Sequence, residues 1–253
     1  MQEIYEELLT EKRGFITKWP NDAVVMIVSG GLDSIITSAK IIKEKGLTVY
    51  PLHIERGQTN FTAERQSIEK YESVFEELYP GKFKPTTYIK LNVPPTEIKS
   101  ALLEYTKQHG HPLRDTMLQM AAVQFAASLR AEGVNVKTIF CAVMPEDYFP
   151  HSKLESIRAT NIAVCQNMDD WEWQITSPNI DLQLEEKLVS KSDEIRWAAD
   201  NNFPSEFTVS CNVAAEDTQF LNCGTCSSCE RRKSAFDNAG VEDLTVYASD
   251  TNA

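Results

Sequence analysis

A chain of 253 residues with 42% hydrophobic content can bury one sizeable core and a small appendage, which excludes two large domains. Its 37 acidic and 25 basic residues give a net charge of −12, and no lysine- or arginine-rich stripe interrupts the excess, so an extensive nucleic-acid surface is excluded. No apolar run approaches the roughly 18 residues of a membrane span, and the start, MQEIYEELLTEKRGF, lacks the apolar core of a signal peptide; a cytoplasmic protein without a membrane segment is expected.

Residues 2–19 place Ile4, Leu8, Leu9, Phe15 and Trp19 at helical spacing, the pattern of a helix packed on a sheet edge or a partner, ended by Pro20-Asn21-Asp22. Ala23 to Val28 is an unbroken apolar run, too short for a helix and rich in β-branched residues, and it predicts a buried parallel strand. The strand stops at Ser29-Gly30-Gly31, and Ile35, Ile36, Ala39 and Ile42 then mark a helix over 34–45. A strand, a tight glycine turn and a helix N-terminus form an anion cradle, because the first N–H groups of the helix have no intrahelical partner. Caps alone at Asp33 and Ser34 would need no paired glycines there.

Gly46 caps that helix, and 47–54 predicts a second strand, parallel to the first through a crossover. Since ligands in open α/β sheets sit outside the carboxyl ends of the strands, residues 52–57 are expected beside the glycine turn, with His53 read as a neutral, packed histidine rather than a base. A helix over 63–78, a third strand over 86–92 and a helix over 97–108 follow. His109 and His111 share a loop with no third ligand nearby, too little for a metal site. Arg114 closes that loop just before an alanine-rich helix over 116–129, placed to reach phosphate. A fourth strand over 136–143 leads into residues 144–153, the expected place of substrate discrimination, with Glu146, Asp147, Tyr148 and His151. A helix over 156–168, a short strand over 171–175 and one or two helices over 185–201 complete the main body, with Lys191 starting the second of them. Cys141 and Cys165 are read as small buried residues.

The other four cysteines, Cys211, Cys223, Cys226 and Cys229, follow the spacing C-x11-C-x2-C-x2-C, with Gly224 allowing a knuckle turn. A tetrahedral structural zinc site is the direct reading, with an iron–sulfur cluster or a redox C-x-x-C pair also open. All four ligands are local and nothing else in the chain suggests electron transfer, which favours zinc; a four-thiolate site is closed and stabilises fold rather than activating water.

Ser29-Gly30-Gly31-Leu32-Asp33-Ser34 matches neither a Walker A loop nor a dinucleotide fingerprint. It resembles the SGG-x-DS PP-loop of the ATP pyrophosphatases, which cleave ATP between the α- and β-phosphates. With the cysteine cluster near the end of the chain, the pattern resembles the QueC family of 7-cyano-7-deazaguanine synthases from about residue 23 to 236. The likeness is carried also by Val209-Ser210-Cys211, by 222–236, by Pro112-Leu113-Arg114-Asp115 against the family's Pro-x-Arg-Asn, and by Lys191.

The resemblance implies a doubly wound, mainly parallel α/β sheet of the adenine nucleotide alpha hydrolase type with a small C-terminal zinc-binding part. It divides the chain into a helical extension (1–22), a PP-loop nucleotide-binding domain (23–205) and a four-cysteine segment (206–253). It implies ATP, Mg2+ and Zn2+ as cofactors. ATP would be held by Ser29, Gly30, Gly31, Leu32, Asp33 and Ser34 with His53 beside the adenine, and Asp33, Ser34, Arg114 and Lys191 would be catalytic. The implied activity is an AMP-forming ligase that adenylates 7-carboxy-7-deazaguanine and passes it to ammonia, giving the amide and then the nitrile. Three stretches depart from the family's pattern: Leu32 where Gln is frequent, 55–60 in place of Tyr-Gly-Gln-Arg/Lys-His, and 146–151 in place of Tyr-Pro-Asp-Cys-Arg. They leave open a second acceptor, an amine on a protein in an antiphage-defence setting, for which the N-terminal helix would suit docking. Thiolation of tRNA, which the acidic charge disfavours, amidation of the NAD-synthetase kind, and a non-enzymatic zinc-ribbon module also stay open. A homodimer is one option for the assembly.

Overall fold

A computed structural model describes residues 1–182, 189–213 and 222–251. In chain order the helices are α1 (Gln2–Arg13), α2 (Leu32–Lys45), α3 (Phe61–Leu78), α4 (Thr96–Lys99), α5 (Leu103–His109), α6 (Arg114–Ala131), α7 (Leu154–Met168), α8 (Lys191–Asp200) and α9 (Ser227–Ala239). The strands are β1 (Ala23–Ile27), β2 (Thr48–Glu55), β3 (Thr87–Lys90), β4 (Thr138–Phe140) and β5 (Gln174–Thr176). They form one sheet in the order β3-β2-β1-β4-β5, every neighbouring pair parallel.

β1 lies at the centre because it is apolar on both faces. Val24 and Met26 enter a core shared with Ile35, Ile68, Ile195 and Phe236, which places α2, α3, α8 and α9 on one side. Ala23 and Val25 enter the other core, with Val123, Ile157 and Val164 from α6 and α7. The period of two along the strand thus divides one apolar run between two helical layers, the doubly wound arrangement the sequence predicts. The chain runs outward from β1 through β2 to β3, then returns to the opposite side of β1 for β4 and β5. The β1–β4 junction is therefore the topological switch point, where a crevice opens at the strand ends.

Several elements differ from expectation for local reasons. The helix expected over 97–108 is broken into α4, a 3-10 turn at Ser100–Leu102 and α5, none of which has a buried residue, so no core contact holds it straight. β4 pairs over three residues instead of eight; Cys141 still donates its N–H to the Thr176 carbonyl (3.0 Å), and residues 142–144 leave the ladder to line the crevice. α1 ends at Gly14, which takes a left-handed φ of 79°, instead of running to residue 19. It packs on α7, where Arg158 Nε meets Glu6 Oε1 at 3.0 Å. Residues 185–188 of the expected helical stretch lie outside the described residues.

The C-terminal segment is sewn into the main body. Phe236 of α9 belongs to the central core. Arg232, 1% exposed, donates to Thr245 Oγ1 (2.7 and 3.1 Å), Thr208 Oγ1 (2.6 Å), Ser210 Oγ (3.2 Å) and the Ser205 carbonyl (2.9 Å), tying two stretches of irregular chain to α9. Among the described residues no helix is long and apolar enough to cross a membrane.

Candidate active site and cysteine cluster

The turn after β1 is built by its own side chains. Ser34 Oγ accepts from the Ser29 N–H (3.2 Å) and donates to the Gly31 carbonyl (3.1 Å), while Ser29 Oγ accepts from the Gly31 N–H (3.3 Å). Gly30 takes φ +67°, and a Cβ there would stand 2.5 Å from the Glu64 carbonyl oxygen, so only glycine lets the turn lie against α3. Its own carbonyl is pinned by Ser67 Oγ (2.7 Å) and the Val209 N–H (2.9 Å). The turn leads directly into α2, whose first-turn N–H groups make the cradle the sequence suggests.

A cavity of about 510 Å³ opens at this turn, large enough for a nucleotide and a small acid. Ser29, Gly31, Leu32, Asp33, Ser34, Arg114 and Lys191 all line it. Lys191 Nζ donates to both oxygens of Asp33, at 2.6 and 2.7 Å. α8 delivers it as its first residue, its N-terminus fixed by a reciprocal cap between Ser190 and Asp193. Burial works against the ammonium, but the Asp33 charge outweighs it and raises Lys191 above its usual value. Arg114 begins α6 after Leu113, a non-glycine residue held at φ 56°.

Two residues named from the sequence do not reach the cavity. His53 is 1% exposed and turned into the protein, where Nδ1 donates to the Val28 carbonyl at 2.9 Å and its ring stacks on Phe61. Burial lowers its proton affinity, so it is a neutral prop beneath the turn and not a wall of a nucleotide site. The covering of β2 on both faces explains the correction: Leu52, His53 and Ile54 are all buried, and the chain reaches the cavity only beyond the strand end. Gly30 likewise faces α3, while Arg56 is the residue from 52–57 that lines the cavity.

Tertiary register supplies Glu64, which the sequence did not single out, and gives Asp115, so far only the last residue of a motif, its partners. Glu64, 3% exposed, accepts from Gln58 Nε2 (2.6 Å) and holds Arg56 (3.3 and 3.4 Å) at the wall. Asp115 accepts from Arg114 Nε (2.8 Å), His151 Nδ1 (2.7 Å) and Ser152 Oγ (2.8 Å). Burial opposes its charge, yet the His151 hydrogen bond and the Arg114 guanidinium keep its carboxyl well below the usual range.

Behind the Asp33–Lys191 pair, fully buried Glu194 accepts from Thr37 Oγ1 (2.6 Å) and Asn179 Nδ2 (3.2 Å), while its Oε2 has no hydrogen-bond partner among the described residues. Burial and the Asp33 charge push its carboxyl well above the usual range, against the pull of Lys191 and Lys40. A carboxyl raised on folding binds its proton more tightly in the native state. Its contribution to stability is full below the unfolded value of about 4.3 and is lost as pH rises through the folded value. Glu194→Gln is therefore expected to flatten the fall in melting temperature from about pH 5 to pH 8. At the upper end it should gain several degrees, since each kcal/mol moves a chain of this size by roughly 2–4 °C. Calorimetry showing the wild-type slope in the variant would mean that Glu194 is ionised throughout.

The four late cysteines converge. Their Sγ atoms lie within 4.8 Å of one another, with Cys226 to Cys229 at 3.6 Å and Cys211 to Cys226 and Cys223 to Cys229 at 3.9 Å, and none forms a disulfide. Zinc–sulfur bonds of about 2.3 Å in a tetrahedron place sulfurs about 3.8 Å apart, so the four thiols can bind zinc. Burial disfavours the thiolates, but backbone N–H groups directed at Cys223 and Cys226 outweigh it and lower both. Residues flanking the cluster line the cavity: Asn60 Nδ2 donates to the Cys211 carbonyl (2.8 Å), and Asn212, Ser228 and Arg231 face the opening.

A parallel sheet reversing at β1, with an SGG-x-DS turn at the switch point, defines an α/β enzyme of the PP-loop class. The family model described as Queuosine biosynthesis protein QueC matches residues 23–240, and the chain belongs to that family. A 7-cyano-7-deazaguanine synthase of Methanothrix thermoacetophila is 28% identical over 236 residues, covering 88% of this chain and 97% of the relative. One of Methylococcus capsulatus is 30% identical over 235 residues, covering 89% and 98%. A solved chain described as a predicted subunit of tRNA methyltransferase, from Methanocaldococcus jannaschii, overlaps only loosely, at 17% identity and a TM-score of 0.36 over 74% of this chain and 91% of that one.

Proposed function

We propose that the protein is an ATP-dependent, AMP-forming ligase that activates the carboxylate of 7-carboxy-7-deazaguanine and passes it to ammonia, giving the amide and then the nitrile. The observation that carries this reading is the meeting of the SGG-x-DS turn, the Asp33–Lys191 pair and Arg114 on one cavity. The relatives named 7-cyano-7-deazaguanine synthase support the substrate class.

A carboxylate oxygen is a poor leaving group until it is bonded to phosphorus. In the first step an oxygen of the acid attacks the α-phosphorus of ATP, and the bond to the bridging oxygen of the leaving pyrophosphate breaks. The N–H groups of the turn, Lys191 and Arg114 take up the negative charge that departs. Ammonia then attacks the acyl carbon, loses a proton, and AMP leaves with the electron pair of the C–O bond, giving the amide. A second adenylation, now at the amide oxygen, followed by loss of two protons and of AMP, gives the nitrile. Asp33 is the residue that would hold Mg2+, which when bound neutralises phosphate charge. Cys211, Cys223, Cys226 and Cys229 would hold Zn2+ as a closed structural site.

The named relatives lend no support to a protein acceptor in antiphage defence. The test is ATP–pyrophosphate exchange with and without 7-carboxy-7-deazaguanine, followed by mass spectrometry of the product formed with ammonia. Exchange that depends on the acid, and a product lighter than the acid by the difference between carboxyl and nitrile, is the expected result. Exchange indifferent to the acid would overturn the reading.

A further inference from the structure

One wall of the cavity is built from α6 and the residues that follow β4. The helix turns Arg114, Asp115, Leu118 and Gln119 toward the opening, the i, i+1, i+4, i+5 spacing of one face. Gln119 stands out among them. It is 2% exposed, yet among the described residues its sole hydrogen-bond contact is Cys141 Sγ at 3.9 Å, and sulfur is a weak acceptor. A primary amide carries two N–H donors and two carbonyl lone pairs, and buried groups of this kind are paired in the great majority of cases. Here nearly all of that capacity is left for whatever fills the cavity.

Asp115, one helical turn earlier on the same face, is the second polar feature of this wall. Arg114, His151 and Ser152 occupy three of the four lone-pair directions of its carboxylate and hold it rigid, leaving one direction open. The apolar side chains of Leu118, Met144 and Phe149 complete the wall, so a flat ring has surfaces to lie against and a polar strip along its edge.

An amide beside an anionic acceptor matches a particular ring edge. The amide pairs with a lactam, donating to the ring carbonyl oxygen and accepting from the adjacent ring N–H. The carboxylate, about 5–6 Å along the helix, accepts from an amino group on the next ring carbon. An adenine edge has an amidine that suits the amide but no donor for Asp115. We propose that Gln119 and Asp115 are the specificity-determining pair of this cavity, reading the lactam and neighbouring amino group of a fused aminopyrimidinone ring. This deepens the reading of the preceding subsection and rests on it for the class of acid.

The test measures pyrophosphate exchange by the full chain with 7-carboxy-7-deazaguanine and with its analogue lacking the 2-amino group. It is repeated for Gln119→Met, which keeps the volume and removes the polar atoms. The wild type is expected to prefer the amino-bearing ring by at least about tenfold in kcat/KM, because the analogue leaves Asp115 with an unfilled acceptor. Gln119→Met should raise the KM for the acid by about 10–100-fold and leave that for ATP within about twofold. Equal use of the two rings by the wild type, which needs no variant at all, would remove the assignment. So would a Met variant that keeps the KM for the acid, or one that changes the KM for ATP instead, and in these cases the ligase reading stands. A wild type with no acid-dependent exchange takes the ligase reading down, and this inference with it.

Discussion

Lys191→Met is expected to lower ATP–pyrophosphate exchange by about 10²–10³-fold while leaving the melting temperature within a few degrees of the wild type. The loss follows from position. Lys191 is the ammonium that α8 delivers to the turn, and in the proposed reaction it would meet the charge on the departing pyrophosphate. Little stability is at stake, because the side chains of Lys191 and Asp33 are 31% and 27% exposed and water screens the pair. Asp33→Asn should lose a similar factor. The double variant should be little worse than either single one, since two residues acting as a unit show grossly non-additive losses. Exchange within about threefold of the wild type in Lys191→Met would remove the lysine from the chemistry; a loss matched by unfolding would mean that it was structural after all.

That pair marks the limit of what the sequence makes legible. Ala23 to Ser34 could be read directly, because an apolar strand, a glycine turn and a helix start are contiguous and each has a local physical signature. The cysteines were legible for the same reason: ligand spacing is a local property. Lys191 was expected at a helix start, but its carboxylate partner 158 positions away emerges only when α8 packs on α2. Gln119 and Glu64 carry no motif, and Asp115 entered only as the last residue of Pro112-Leu113-Arg114-Asp115, with no role of its own. The register of α6 and α3 against the sheet is what turns them into the cavity. His53 shows the converse. The rule that strand ends face the ligand placed the right segment near the site, but both faces of β2 are covered by helices, so Leu52, His53 and Ile54 are all buried and only Arg56, past the strand end, arrives. The broken α4–α5 stretch was overextended because its residues have helical propensity, while no buried contact exists to align them.

Cys226→Ser is expected to reduce bound zinc from about one per chain to below about a tenth, measured by elemental analysis, and to lower the melting temperature by about 10 °C or more. A serine hydroxyl stays protonated near neutral pH and is a hard donor, so it does not replace the thiolate of a soft four-sulfur site. Since zinc binding in small sites is itself folding free energy, roughly 10–16 kcal/mol in isolated fingers, losing even part of it exceeds the margin of most domains. The consequence extends to the cavity. Residues 209–212 run from the Gly30 carbonyl, which accepts from the Val209 N–H at 2.9 Å, to Cys211, whose carbonyl accepts from Asn60. Without the metal, that strip would be kept against the PP-loop turn by these bonds and by those of Thr59 to the Asn212 carbonyl and of Arg232 to Ser210. Hydrogen exchange at the Val209 amide should therefore accelerate in Cys226→Ser, and the KM for ATP should rise by about tenfold or more as the wall loosens. A closed four-thiolate site activates no water, so activity should fall in step with Val209 protection and not independently of it. A variant that loses its zinc while Val209 stays protected would show that the cavity wall stands without the cluster. One that keeps its zinc and its melting temperature would show that Cys226 is not a ligand.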